Sequence, residues 1–345
     1  MYLKNNNGMN MKRFAYILPI ALLLLLGSCA KEGLNNDFKP YNNNELNDTA
    51  WVKSISNTAN IFSLADSLFQ KSYFTDSIDL TKDQTIEFGD SLELEIKGNS
   101  LTTGTGLFLD GKAKIELLKI LKKGDFIKTF RPNSSNGLPL ETGGAFFIRI
   151  SKNGTELVLA PGSSMKIKWT DLEAPKTYMQ VYNGKEGFPI PNGPLDSAHN
   201  WLPDNDTSKL KIWVKGSGNG ERRGYILETK KLRWVSAQHA LLPNTKLTNI
   251  YGILPPNYTN KNTMVFAVFA NSRTVLSLKS DLSSRSFKTS DVPLGTKMTL
   301  VSISKIGKDF YLGTKLVNDV GNIVNFSFNP EKKKLAQILE YLNSL

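Results

Sequence analysis

The hydrophobic pattern of the chain changes character several times between its ends. Lys12 and Arg13 precede an apolar run from Phe14 to Leu26, which ends at Gly27, Ser28 and Cys29. From Ala30 to about Ala50 no period is visible. Six asparagines are scattered there among charged residues, glycine and Pro40, so the segment has little to bury and reads as a flexible tether. Order begins near Trp51. Ile61-Phe62, Leu64-Ala65 and Leu68-Phe69 recur at helical spacing and predict one short amphipathic helix or a packed irregular entry.

Beyond that point the period falls to two. Ile86 and Phe88, then Leu92, Leu94 and Ile96, alternate with Glu87, Glu93, Glu95 and Lys97, which predicts a half-buried strand pair joined at Gly89-Asp90. Lys112 to Ile120 is apolar and charged in equal measure and fits either a strand or a helix. Ala145 to Ile150 reads as a strand, and Asn153-Gly154 is a strong hairpin signal leading into Leu157 to Leu159. Pro161-Gly162 turns the chain into Met165 to Trp169. Residues 183–207 are rich in Gly, Pro, Asn and Asp and read as a long loop. Strand patterns return at Leu210 to Val214 and Tyr225 to Leu227, with a basic hairpin loop at Gly216 to Gly224 between them.

From Leu247 onward, strands are predicted at Met264 to Ala270, Val275 to Leu278, Met298 to Ile303, Phe310 to Val317 and Ile323 to Phe328. The last stretch, Glu331 to Leu345, places Leu335, Ile338, Leu339 and Leu342 on one helix face, with Asn329 as N-cap and Pro330 at the first helical position. The expected fold is therefore mainly β. Two β-sandwich-like modules, 51–182 and 247–345, flank a loop-rich connecting region with strands at 183–246, and a C-terminal helix closes the chain. Residues 1–28 and 29–50 lie ahead of the modules as leader and tether.

The leader has a specific chemical reading. Thirteen residues of helix span about 20 Å, too short for a hydrocarbon core of about 30 Å. A basic start, a short apolar centre and small residues before a cut describe a secretory signal peptide. Here the order Leu26-Gly27-Ser28-Cys29 resembles the lipobox of bacterial lipoproteins, with cleavage between Ser28 and Cys29 and diacylglycerol received by the Cys29 thiol. Initiation at Met11 rather than Met1 would give Met-Lys-Arg directly before the apolar run. Two or more acyl chains hold a protein stably on a membrane where one does not. The expected location is the cell envelope, at the outer membrane, facing the periplasm or the surface.

Composition narrows the picture further. In 345 residues, 40% are hydrophobic, which excludes disorder over the whole chain, and the single cysteine excludes a disulfide framework. The net charge is +12. In an exported protein that excess argues for an anionic glycan or lipopolysaccharide more than for nucleic acid.

Two stretches resemble uncharacterised surface lipoproteins of the Bacteroidetes. The first runs from Asp76 to Trp169 around Leu140-Glu141-Thr142-Gly143-Gly144-Ala145-Phe146-Phe147-Ile148. The second is Val292 to Val301, with Tyr311-Leu312-Gly313 and the C-terminal helix. The resemblance implies a β-sandwich somewhat like the domain of ankyrins and netrin receptors, followed by a distal β-module, and it implies no reaction. Asp-Ser/Thr followed by a small or aliphatic residue resembles the O-glycosylation signal of Bacteroidetes secretory proteins. It marks Thr49, Ser67, Ser77, Ser91 and Ser197 as acceptors, although the same pairs also suit turns and helix caps.

No catalytic constellation emerges. Cys29 is assigned to lipid, and His199 and His239 are far apart in sequence, so neither a thiol nucleophile nor a zinc site is expected. Gly216-Ser217-Gly218-Asn219-Gly220 lacks the Lys-Ser/Thr ending of a phosphate loop. Glu93 and Glu95 read as a solvated strand face rather than a glycosidase pair. Asp204-Asn205-Asp206 lacks the rest of a calcium loop. The expected function is binding or scaffolding with no cofactor, metal or catalysis, through envelope proteins or glycans as partners. The alternative is a carbohydrate- or polyanion-binding face built from Trp213, Arg222, Arg223 and Tyr225; an envelope enzyme with an unrecognised site ranks below both.

Overall fold

Alternating residues in the first module must bury one face of every strand, and the architecture follows from how those faces meet. The computed structural model describes residues 48–69, 73–171, 173–185, 201–205, 208–241, 246–321 and 324–345. The leader, Ser28, Cys29, most of the tether, Ser197 and His199 lie outside them.

Helix α1 (Asn60–Leu68) is followed by β1 (Phe74–Asp79), β2 (Gln84–Glu87), β3 (Leu92–Ile96), β4 (Leu101–Thr103) and β5 (Lys112–Ile120). After α2 (Lys123–Lys128) come β6 (Ser134–Ser135), β7 (Leu138–Lys152), β8 (Thr155–Leu159) and β9 (Met165–Thr170). The chain continues through β10 (Gln180–Gly184), β11 (Trp201–Pro203), β12 (Lys209–Lys215), β13 (Arg222–Thr229) and β14 (Arg233–Ala240). The distal part holds β15 (Leu247–Ile253), β16 (Thr263–Phe269), β17 (Val275–Asp281), β18 (Ser286–Pro293) and β19 (Met298–Ile306). It ends with β20 (Asp309–Val317), β21 (Asn325–Ser327), β22 (Glu331–Lys333) and α3 (Leu335–Ser344).

The fold is mainly β with a C-terminal helix. In the first module one sheet runs β1-β5-β7-β14-β10-β11 and faces a second in the order β12-β13-β9-β3-β2. Ile115, Leu117, Phe146 and Ile148 from one sheet pack between Leu94, Ile167, Trp169 and Leu227 from the other. The hairpins read from the sequence are present. β2 pairs with β3 antiparallel, and β7 meets β8 through Asn153 (φ 49°) and Gly154 (φ 79°), the two positive φ values that a tight hairpin turn with right-handed strand twist requires.

Three expectations are corrected. The strands described within 183–246 are not a connection: β14 lies between β7 and β10, and β13 between β12 and β9, so these strands complete the first sandwich. Residues 51–69 are not part of the first module alone: Trp51 lies tilted against Phe287 at 5.0 Å and Ile61 N–H donates to the Lys261 carbonyl at 2.9 Å in the distal module, while α1 also shares a core with Leu118 and Phe147 of the first. Finally, Asn329 and Pro330 do not start the last helix. Glu331–Lys333 is a strand paired with Phe310–Leu312, and α3 begins only after Lys334, whose N–H is taken by Gln337 Oε1 at 2.9 Å. The hydrogen bonds of sheet pairing outweigh the local preference of proline for a helix start. The ambiguous Lys112 to Ile120 is a strand.

The distal sheet runs β21-β15-β18-β17-β16-β19-β20-β22. Its two end strands, β21 and β22, are separated by only Phe328, Asn329 and Pro330, so one continuous segment borders both edges and the sheet is rolled around its core of Val265, Ala267, Leu276, Leu300 and Phe328. Phe328 N–H donates to the Ile253 carbonyl across this seam at 3.2 Å.

Both modules belong to one compact unit, Asp48–Leu345. The outer side of the first sheet (Leu118, Ile120, Phe147, Trp234) and the outer side of the rolled sheet (Met264, Phe266, Val301, Ile303) share a single core with α1, α2 and α3. That double burial explains the unbroken apolar run Ala145-Phe146-Phe147-Ile148 within β7. The junction is also polar. Asn133 N–H donates to the Val275 carbonyl at 2.7 Å, Thr274 Oγ1 donates to the Leu140 carbonyl at 2.9 Å, and Arg273 meets Asp171 at 2.8 Å with both side chains buried.

Candidate functional site

Strand parity sorts the predicted ligand face. Trp213 is opposite Gly224 on the outer side of the second sheet, and Lys215 opposite Arg222 beside it. Trp213 lies across the glycine, its indole N–H donating to the Trp169 carbonyl at 3.0 Å with Lys168 Nζ 5.0 Å from the ring. Trp213 and Arg222 therefore share a face with the exposed Lys209 and Lys211. Tyr225 does not belong to that face. It is opposite Ile212 on the inner side, 1% exposed, stacked on Trp169 at 5.3 Å and accepting the Lys176 N–H at 2.6 Å. Arg223 has the inner parity too, but it sits at the strand end, where it is exposed.

The two candidate carboxylates of this sheet are paired. Glu93 pairs with Lys168 at 2.8 Å and Glu95 with Lys166 at 3.4 Å, each the direct cross-strand neighbour. They form a solvated ladder, as the alternation of the strand predicts. Asp204 is buried beside Ser208 and Lys231. Among the described residues no group of three or more His, Cys, Asp or Glu is placed to hold a metal ion.

A second polar cluster covers the junction of β7 and β14. Glu141, buried, accepts from Lys176 Nζ and from Tyr178 Oη at 3.1 Å, while His239 packs on the Tyr178 ring at 4.6 Å. Burial pushes the Lys176 ammonium down, but the Glu141 carboxylate more than offsets it and holds the group above its ordinary value. Burial and the same carboxylate raise the Tyr178 phenol. The groups hold the segment after Asp171 against the sheet, and their polar atoms face one another.

The proposed glycosylation acceptors fall in different settings. Ser77 is exposed on β1, at a sheet edge. Ser67 Oγ is bound to the Ser63 carbonyl at 2.7 Å within α1. Thr49 is half-buried, and so is Ser91, which lines a cleft.

That cleft has a volume of about 500 Å³, within the range of about 300–1,000 Å³ usual for small-molecule sites. It opens where the ends of β1, β5 and β9 meet the end of α1 and the helices α2 and α3. Its walls are Leu68, Phe69, Phe74, Leu118, Leu121 and Leu339. Lys119, Lys122 and Lys128 form its rim with a single acid, Asp125. Asp125 is already engaged: it pairs with Lys128 at 2.9 Å and accepts the backbone N–H groups of Leu121 and Lys122. Lys119 lies half-buried over the Phe74 ring at 5.2 Å. Sequence reading missed this cleft because its lining comes from six separate elements. The one local signal was the alternation of lysine with large apolar residues from Leu118 to Lys128.

No known family, curated protein or solved structure matches the chain.

Proposed function

We propose that the protein is a lipid-anchored component of the bacterial cell envelope whose β body acts by binding or scaffolding and catalyses nothing. In this reading acylated Cys29 moors the chain to the outer membrane, residues 30–50 act as spacer, and the cleft between α1, β5, α2 and α3 is the binding site. The resemblance to Bacteroidetes surface lipoproteins supports the compartment. The observation that carries the binding role is the cleft itself, with apolar walls, a cationic rim and its only acid already paired.

Two measurements test the reading. Metabolic labelling with an alkynyl fatty acid should tag the wild-type chain and not Cys29→Ala, and Cys29→Ala should leave the membrane fraction. A labelled Cys29→Ala chain that stays with the membrane would refute the anchor. For the binding role, protein isolated from its native membrane should carry a small molecule in native mass spectrometry, and Phe74→Ala, at an exposed wall position, should lose it. Retention by Phe74→Ala would place the site elsewhere.

The outer face of β12 and β13 favours a second reading. Lys209, Lys211, Lys215 and Arg222 surround Trp213 on one side of the sheet, a stacking surface for an acidic glycan. Retention on acidic glycans that weakens with salt and with Arg222→Ala supports it; salt-independent retention opposes it. Of the proposed glycosylation acceptors among the described residues, Ser77 has the most accessible setting, and the intact mass of native protein tests that modification.

A further inference from the structure

We infer that the cleft holds a single-chain anionic amphiphile, its acyl chain against the apolar walls and its carboxylate or phosphate headgroup at Lys119 and Lys122. This inference rests on the reading of the cleft as the binding site and names the ligand class. The walls supply six large apolar side chains, and of the polar groups around them Thr129 Oγ1, Asn343 Oδ1 and Asp125 are already engaged within the protein, a lining better suited to an acyl chain than to a sugar, whose hydroxyls need convergent polar partners. Phe74 is 38% exposed, whereas Leu68 and Leu118 are buried, so the hydrophobic surface grades from the mouth into the floor as a chain entering end-on requires. The volume of about 500 Å³ suits one acyl chain and is too small for a two-chain lipid.

The charge pattern selects the headgroup. Lys128 is neutralised by Asp125, while neither Lys119 nor Lys122 meets a carboxylate among the described residues. Lys122 Nζ donates to the Asn343 carbonyl at 3.1 Å, which keeps its ammonium at the cleft edge beside α3. Lys119, held over the Phe74 ring, stands at the boundary between apolar wall and solvent. An acid headgroup there completes two ion pairs, one with exposed Lys122 and one with half-buried Lys119, where partial shielding from water makes the pair worth more than on an open surface.

Photo-crosslinking in membranes of cells expressing the full chain tests the assignment. The probes are a diazirine fatty acid, a diazirine monoacyl phosphate and a neutral diazirine monoacylglycerol of equal chain length. Either acid should label the segments carrying Phe74, Leu118 and Leu339 about tenfold more than the neutral probe, and Lys119→Met should remove that preference. Lys122→Met, at an exposed position, repeats the test without removing the Lys119 contact over Phe74, and an unchanged unfolding midpoint checks that loss of its bond to the Asn343 carbonyl leaves the α2–α3 contact in place. Preference for one acid over the other identifies the headgroup within the inferred class. Equal labelling of the cleft by acid and neutral probes would overturn the anionic assignment and leave the binding reading intact. Absence of label from the cleft with every probe would overturn both.

Discussion

Gly124 at the start of α2 lies directly against the Leu342 carbonyl of α3, so close that a Cβ on Gly124 would overlap the oxygen. This contact joins a helix from the first third of the chain to its last turn, and the two helices together form one side of the cleft. Lys122 and Lys128 reinforce it through the Asn343 carbonyl and Oδ1, at 3.1 and 2.8 Å.

Gly124→Ala should therefore destabilise the fold by about 1–3 kcal/mol, the usual cost of overpacking, because backbone rather than a movable side chain stands in the way. Gly104→Ala, where a Cβ meets nothing within 4 Å, is the control. Urea unfolding should separate the two variants. Equal midpoints would refute the packing argument.

Trp169 and the glycine pair of β7 make a second fixed contact. The indole N–H donates to the Gly143 carbonyl at 2.9 Å, and Gly144, at φ 141°, leaves room for the ring. Trp169→Phe removes a buried donor and should cost about 1–3 kcal/mol. Gly144→Ala should cost more, since it combines backbone strain with a Cβ 2.9 Å from the indole nitrogen. Thermal unfolding of both variants tests the order.

The ion pair between Arg273 and Asp171 ties the rolled sheet to the sandwich, both side chains being at most 4% exposed. Removing Asp171 leaves the buried guanidinium only the half-exposed Glu173 carboxylate at 3.4 Å, so Asp171→Asn should lose up to about 3–5 kcal/mol. The double variant Asp171→Asn, Arg273→Met should recover part of that loss in equilibrium unfolding. A double variant as unstable as the sum of the singles would show that the two groups are not coupled.

Alkaline pH should act through Tyr258. Burial, with a smaller contribution from Tyr311, pushes its phenol up to about 12. The folded state holds this proton more tightly than the unfolded chain, whose tyrosines ionise near 10. The stabilisation is therefore complete below about pH 10 and is lost as pH rises through about 12. Stability measured across that window should fall less steeply in Tyr258→Phe. An unchanged slope would place the Tyr258 titration outside the folding equilibrium.

Much of the architecture was legible in the chain because strand alternation and turn chemistry are local. Leu92, Leu94 and Ile96 fix an inner face without reference to their partners, and Asn153-Gly154 fixes a hairpin through its own φ values. β1 and β18 escaped notice because Phe74–Asp79 and Ser286–Pro293 are polar and owe their pairing to neighbouring strands. Tyr225 was assigned to a surface it does not reach. Its place beside Arg222 and Arg223 concealed that its parity matches the core residue Leu227.

By itself the sequence determined the β class, the hairpins and the apolar face of the last helix, since each depends on residues a few positions apart. Only the tertiary structure decided that residues 201–240 complete the first sandwich, that Asn325–Lys333 seams a rolled sheet, and that Lys119 and Leu339 share one cleft. Those relations join residues separated by tens to hundreds of positions, and their free energy comes from burying surfaces against one another, which no local pattern records.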